Sequence, residues 1–163
     1  MEPTLRIRIG NLEQMERQFD SFLISDDKKL LQIERIYEML HGTYWAKERS
    51  RETIARAIEN SLCFGVYAEG VQIGFARCVT DYATTFLLAD VIIDERYRGR
   101  GLGKELVPFI LSHELLQGLI GTLATRDAHG LYARYGFVPV DPNLYMRRAP
   151  VKAEVIENNQ NET

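Results

Sequence analysis

The stretch Arg98-Gly99-Arg100-Gly101-Leu102-Gly103-Lys104 has the residue types and spacing of an anion-binding turn. Glycines let the backbone fold closely around a ligand, the first N–H groups of a following helix lack internal partners, and the helix dipole favours negative charge there. Arg98, Arg100 and Lys104 add formal charge that suits phosphate oxygens. A pyrophosphate fits this chemistry, and spacing separates the turns that bind one. A Walker A loop needs Gly-x-x-x-x-Gly-Lys followed by Ser or Thr, whereas position 98 is Arg and Glu105 follows Lys104. A dinucleotide fingerprint framed on Gly101 needs glycine at position 106, where the chain has Leu106, and an early parallel βαβ unit. The spacing that remains is Arg-x-x-Gly-x-Gly.

The elements around this turn follow from hydrophobic periodicity. Val91-Ile92-Ile93 runs into it as a strand, and Leu102, Leu106, Phe109 and Ile110 leave it at helical spacing, with Pro108 removing one hydrogen bond from that helix. Upstream, Cys63–Ala68, Gln72–Val79 and Phe86–Ile93 are three apolar runs separated by short turn signals, the pattern of an antiparallel meander. Ile33, Ile36, Tyr37 and Leu40 form a helical stripe, and Ile54, Ala57 and Ile58 a second after Ser50, with a loop carrying Tyr44 and Trp45 between them. Leu5, Ile7 and Ile9, then Phe19 to Ile24, give one or two early strands. Downstream, a strand is expected over Leu119–Thr125, then a short helix capped by Asp127, running through Tyr135 and closed by Gly136. Phe137-Val138 and Tyr145-Met146 supply last strands.

A chain of 163 residues fits one domain, and 45% hydrophobic with 26% charged residues is a soluble globular profile. Residues 1–148 are read as that domain and 149–163 as a mobile polar tail. A net charge of −3 gives no general surface for nucleic acid. No apolar run approaches the roughly 20 residues that span a bilayer, and no signal peptide opens the chain, so no membrane partner and a cytoplasmic location are expected. Cys63 and Cys78 lack metal-site or disulfide context and are read as small buried apolar residues; no metal is expected.

Arg-x-x-Gly-x-Gly after an antiparallel meander resembles the acetyl-CoA signature of the GNAT superfamily of N-acetyltransferases. Leu131-Tyr132-Ala133-Arg134-Tyr135-Gly136-Phe137 is similar to the family's late motif, with a tyrosine four residues before the glycine of a Gly-Phe pair. The resemblance covers roughly Phe19 to Arg148, and finer features look like a bacterial small-molecule-type subgroup. It implies an α/β (α+β) fold with a single mixed, mostly antiparallel central sheet, splayed middle strands and flanking helices.

The resemblance also implies roles. Arg98 to Lys104 would hold the pyrophosphate, and the backbone of Ile92 and Ile93 the pantetheine arm. Thr125 stands where many relatives carry Asn on that arm, and His129 would line the same cleft. Tyr132 would act as general acid toward the leaving thiolate. An alkyl amine is mostly protonated at neutral pH and must lose a proton, and Asp90 is the candidate to orient or accept it, with Asp81 and His129 as alternatives. Asp90 has a competing structural role in pairing with Arg77. Tyr44 and Trp45 would form a wall of the acceptor pocket, with Arg77 and Asp81 nearby. The implied activity is transfer of acetyl from acetyl-CoA to a primary amine, on a small molecule or on a protein or peptide; a CoA-binding sensor module is the non-catalytic alternative. Oligomeric state is not fixed by any of these residues, and a homodimer stays open.

Overall fold

A computed structural model describes residues 14–150. The alternation at Leu5–Ile9 and the C-terminal tail from 151 lie outside the described residues. Six strands form one sheet in sequence order: β1 (Glu16–Phe19), β2 (Phe22–Ser25), β3 (Leu62–Ala68), β4 (Val71–Thr80), β5 (Thr85–Ile93) and β6 (Ile120–Thr122). Neighbours are antiparallel except β5 and β6, which run parallel. The sheet is therefore mixed and mostly antiparallel, as expected. The extended run at Phe19–Ile24 is a hairpin, reversed at Asp20 with φ of 50°.

Helices cover both faces. α1 (Ile33–His41) and α2 (Arg51–Glu59) pack over Cys63, Phe75 and Ile92. Ser50 caps α2 by accepting the Thr53 N–H at 3.2 Å. On the opposite face α3 (Leu102–Leu111) buries Leu102, Leu106, Phe109 and Ile110 against Phe64, Phe86 and Leu88. Full burial of each such side chain contributes about 1.5–3 kcal/mol, so this face carries much of the stability. Both cysteines are buried and free, and burial pushes their thiols up, Cys63 to about 11 and Cys78 to about 12.

β5 changes faces along its length. Phe86 and Leu88 point to the α3 side, yet Ile92, an even number of residues on, packs beneath α1 and α2. Strict alternation forbids this unless one residue is inserted. The pairing shows the insertion: Arg77 faces Ala89 and Phe75 faces Ile92, so Asp90 and Val91 together oppose Ala76. Asp90 takes the extra residue's left-handed conformation, φ 54°.

Three local expectations need correction. Asp127 does not cap α4 (His129–Ala133); the N-cap is Ala128, and its N–H is held by the Thr125 hydroxyl at 3.0 Å. The strand expected over Leu119–Thr125 is only Ile120–Thr122. Phe137-Val138 and Tyr145-Met146 form no strand among the described residues; Val138 and Met146 are exposed, with no neighbouring strand to cover them. Gly136 does take the left-handed conformation, φ 87°.

Candidate active site

The glycine turn is built to present backbone donors. Asp94 closes β5 and holds the chain's exit: its carboxylate accepts from Arg96 and from Arg35 of α1, each at 2.7 Å, which holds it well below the usual carboxylate range. The Arg98 side chain donates from Nε to the Ile93 carbonyl at 3.0 Å, folding the turn back on the strand. Gly99 and Gly101 then adopt φ of 77° and 80°, a conformation glycine takes without steric cost. Internal bonding of α3 starts with the Glu105 N–H on the Gly101 carbonyl. The N–H groups from Gly99 to Lys104 therefore have no backbone acceptor among the described residues. A Cβ placed on Gly99 would meet nothing within 4 Å. Free donors, open space and a helix N-terminus fit a pyrophosphate.

Earlier along β5, that strand and β6 part. Their pairing ends at Leu87 and Thr122, after which β5 continues and Leu123–Asp127 diverge from it. The gap is a cleft of about 460 Å³. Its sides are Leu87 to Val91 of β5 and Leu123 to Ala128, with Tyr132 lining it from α4. Tyr44, Trp45 and Arg49 of the α1–α2 loop form the remaining wall.

Tyr132 is buried to 9% exposure and stacks edge-on against Phe137 with centroids 6.0 Å apart. Burial, then the charge of Asp127, pushes its phenol above its ordinary value. Asp90 contrasts with it. The Asp90 side chain is 3% exposed and its carboxylate is fully engaged: Arg77 Nε donates at 2.6 Å and Arg49 Nη1 at 2.7 Å to one oxygen, and the Trp45 indole N–H at 3.2 Å to the other. Arg77 also reaches the Ser61 hydroxyl at 3.2 Å. The bulge thus turns Asp90 toward the α1–α2 loop and pins that loop to the sheet.

A crystal structure from Xanthomonas campestris pv. campestris, of a protein assigned to the GNAT acetyltransferases, is 45% identical with a TM-score of 0.76, over 79% of this chain and 93% of that one. The acetyltransferase (GNAT) domain model matches residues 59–139. This chain belongs to the GNAT family. Among curated relatives, an acetyltransferase-like protein of Gibberella zeae is 29% identical over 60% of this chain, and the match spans 65% of that protein's length. A GNAT acetyltransferase from Elizabethkingia anophelis, solved with acetyl-CoA bound, shares the fold at 17% identity and a TM-score of 0.57, over 76% of this chain and 80% of that one.

Against the GNAT frame, the structure gathers Tyr44, Trp45, Asp90, Thr125 and Tyr132 at one cleft, with Arg77 behind Asp90. Ile92 and Ile93 lie beyond the cleft-lining part of β5, leading into the turn. His129 is exposed at the start of α4 and does not line the cleft. Asp81 does not reach it either. Its carboxylate accepts from Ala83, Thr84 and Thr85 of its own turn, which holds it far below the usual range. Sequence reasoning missed Arg49, Arg126 and Asp127 as cleft residues. Arg49 had a signal, a cation in the same short loop as Tyr44 and Trp45; Asp127 was hidden by its resemblance to a cap.

Proposed function

We propose that this protein transfers the acetyl group of acetyl-CoA to a primary amine on a small molecule, with Tyr132 as general acid. The observation that carries the reading is one juxtaposition: a buried tyrosine lines a cleft between parting strands, and its helix packs Leu131 against Gly103, in a glycine turn whose donors are free. Bound acetyl-CoA supplies an acetyl group activated as a thioester. Gly99 to Lys104 would hold its pyrophosphate through backbone N–H groups, with Arg100 and Lys104 adding charge, and Thr125 and the backbone at the end of β5 would align its arm.

The rest is done by the chain's own groups. A phenol with an ordinary pKa of about 10 is neutral at physiological pH, and burial of Tyr132, which disfavours phenolate, pushes it further the same way, so it holds the proton that a departing thiolate needs. Asp90 is an unpromising base, since taking up a proton would require it to release donors from Arg77, Arg49 or Trp45. We assign it to holding the acceptor wall, and assign loss of the amine proton to water in the cleft. A small acceptor is our reading of a wall formed by a few side chains, Tyr44, Trp45 and Arg49, on a cleft of about 460 Å³ that would also take the acetyl end of the arm.

The test is mass spectrometry of an amine library incubated with the protein and acetyl-CoA, with calorimetry of CoA binding alongside. Expected are micromolar-scale CoA affinity and N-acetyl products from a restricted set of amines. CoA binding without any acetylated product would favour a sensor module, and no CoA binding would overturn the reading.

A further inference from the structure

The charges around the cleft limit what can enter its acceptor end. Among the described residues the only buried carboxylate there, Asp90, already faces two guanidinium groups, so the Asp90, Arg49 and Arg77 cluster retains one positive charge in excess. Arg49 spends Nη1 on Asp90, its side chain stays 30% exposed at the cleft, and its other donors have no hydrogen-bond partner among the described residues. Arg126, on the loop after β6, crosses to the opposite wall and lies over the Tyr44 ring, Cζ 3.8 Å from the centroid. It has no carboxylate partner among the described residues. Asp127, also unpaired among them, lines the cleft next to Ala128, the N-cap of the helix that carries the cleft-lining Tyr132. The cleft is thus polar along its length, negative beside Tyr132 and positive at Tyr44, Trp45 and Arg49.

Resting on the acetyl-transfer reading, we propose that the acceptor is an amine that also carries an anionic oxygen group, a carboxylate or a phosphate, seated with its amine toward Tyr132 and Asp127 and its anion on Arg126 and Arg49. Guanidinium groups match both anions in geometry and charge. A polyamine fits poorly, because its second ammonium would meet the excess positive charge.

Matched amines decide it: propylamine against 3-aminopropanoate, ethanolamine against phosphoethanolamine, and spermidine as the polycation. The anionic member of a pair should have a kcat/KM about tenfold or more above its uncharged partner, the scale of one charge-assisted hydrogen bond. The two pairs separate carboxylate from phosphate. Arg126→Ala should shrink that ratio by about tenfold through acceptor KM, with CoA Kd from calorimetry moving less than about twofold. Preference for spermidine or the uncharged partners overturns the proposal, as does Arg126→Ala weakening CoA in step with activity. If no amine turns over, the acetyl-transfer reading fails, and calorimetry of the same pairs on CoA-saturated protein decides the charge preference separately.

Discussion

As the proposed proton donor to a thiolate, Tyr132 has two demands on it: it must face the cleft, and it must still hold its proton at working pH. Burial serves the second by raising the phenol's pKa. Tyr132→Phe keeps the ring against Phe137, so CoA affinity should survive while kcat falls by roughly 10²-fold. The same raised pKa means that ionisation of this phenol should cost wild-type kcat nothing up to about pH 9; a fall below that pH which disappears in Tyr132→Phe would show that burial does not hold the proton on, and an undiminished kcat in Tyr132→Phe would remove the residue from this role. At Asp90 the expectation differs in kind. Asp90→Asn leaves two guanidinium groups facing an amide, and breaking such a partly buried cluster should cost about 1–3 kcal/mol. Acceptor KM should rise as the Trp45 and Arg49 wall loosens, with the pH–rate profile unmoved. A profile displaced to higher pH without loss of stability would restore Asp90 as the base.

At the scale of elements, the placement of Tyr132 depends on how α4 is tied to α3. Pro108 has no N–H to give the Lys104 carbonyl inside α3, and that freed oxygen accepts the Tyr135 hydroxyl at 3.0 Å. A helix defect thereby becomes a tie between α3 and the turn that closes the helix carrying Tyr132. Tyr135→Phe should cost about 0.5–1.5 kcal/mol. In a Pro108→Ala background, where the restored amide at 108 satisfies Lys104, it should cost measurably less; equal losses in denaturant unfolding would mean that the tie does not exist. Pro108 was legible in the sequence as a missing hydrogen bond, but the group that replaces it was not, because Tyr135 lies 31 residues beyond Lys104. The same distinction holds elsewhere. The meander, α1, α2 and the glycine turn follow from periodicity and local chemistry, which a sequence displays directly. The bulge at Asp90 does not: an inserted residue leaves the apolar pattern of β5 looking continuous, and only the partner strand reveals it. Asp127 was misread for a related reason, since the side chain that caps a helix is set by loop geometry, and Thr125 reaches Ala128 first.

For the whole molecule, acid stability should turn on Asp94, because it joins α1, β5 and the glycine turn through Arg35 and Arg96. Arg96, then its own backbone contacts and Arg35, hold its carboxyl far below the ordinary value. A group whose folded pKa is depressed contributes stability that is complete above its unfolded pKa and is lost as pH falls toward the folded value. The midpoint of thermal unfolding should therefore be insensitive to pH above about 5 and decline below about 4 on account of Asp94. Asp94→Asn should lower Tm at neutral pH and flatten part of the acid decline, since the amide has no proton to gain. Because the same carboxylate holds the exit of β5, CoA affinity should weaken in this variant as well, although Asp94 lies outside the turn that would bind the pyrophosphate. Scanning calorimetry from pH 3 to 8 on both proteins, with CoA titrations at pH 7, measures these effects together. Parallel Tm curves of the two proteins would show that the ion cluster is not coupled to folding, and an unchanged CoA Kd would show that the turn keeps its shape without it.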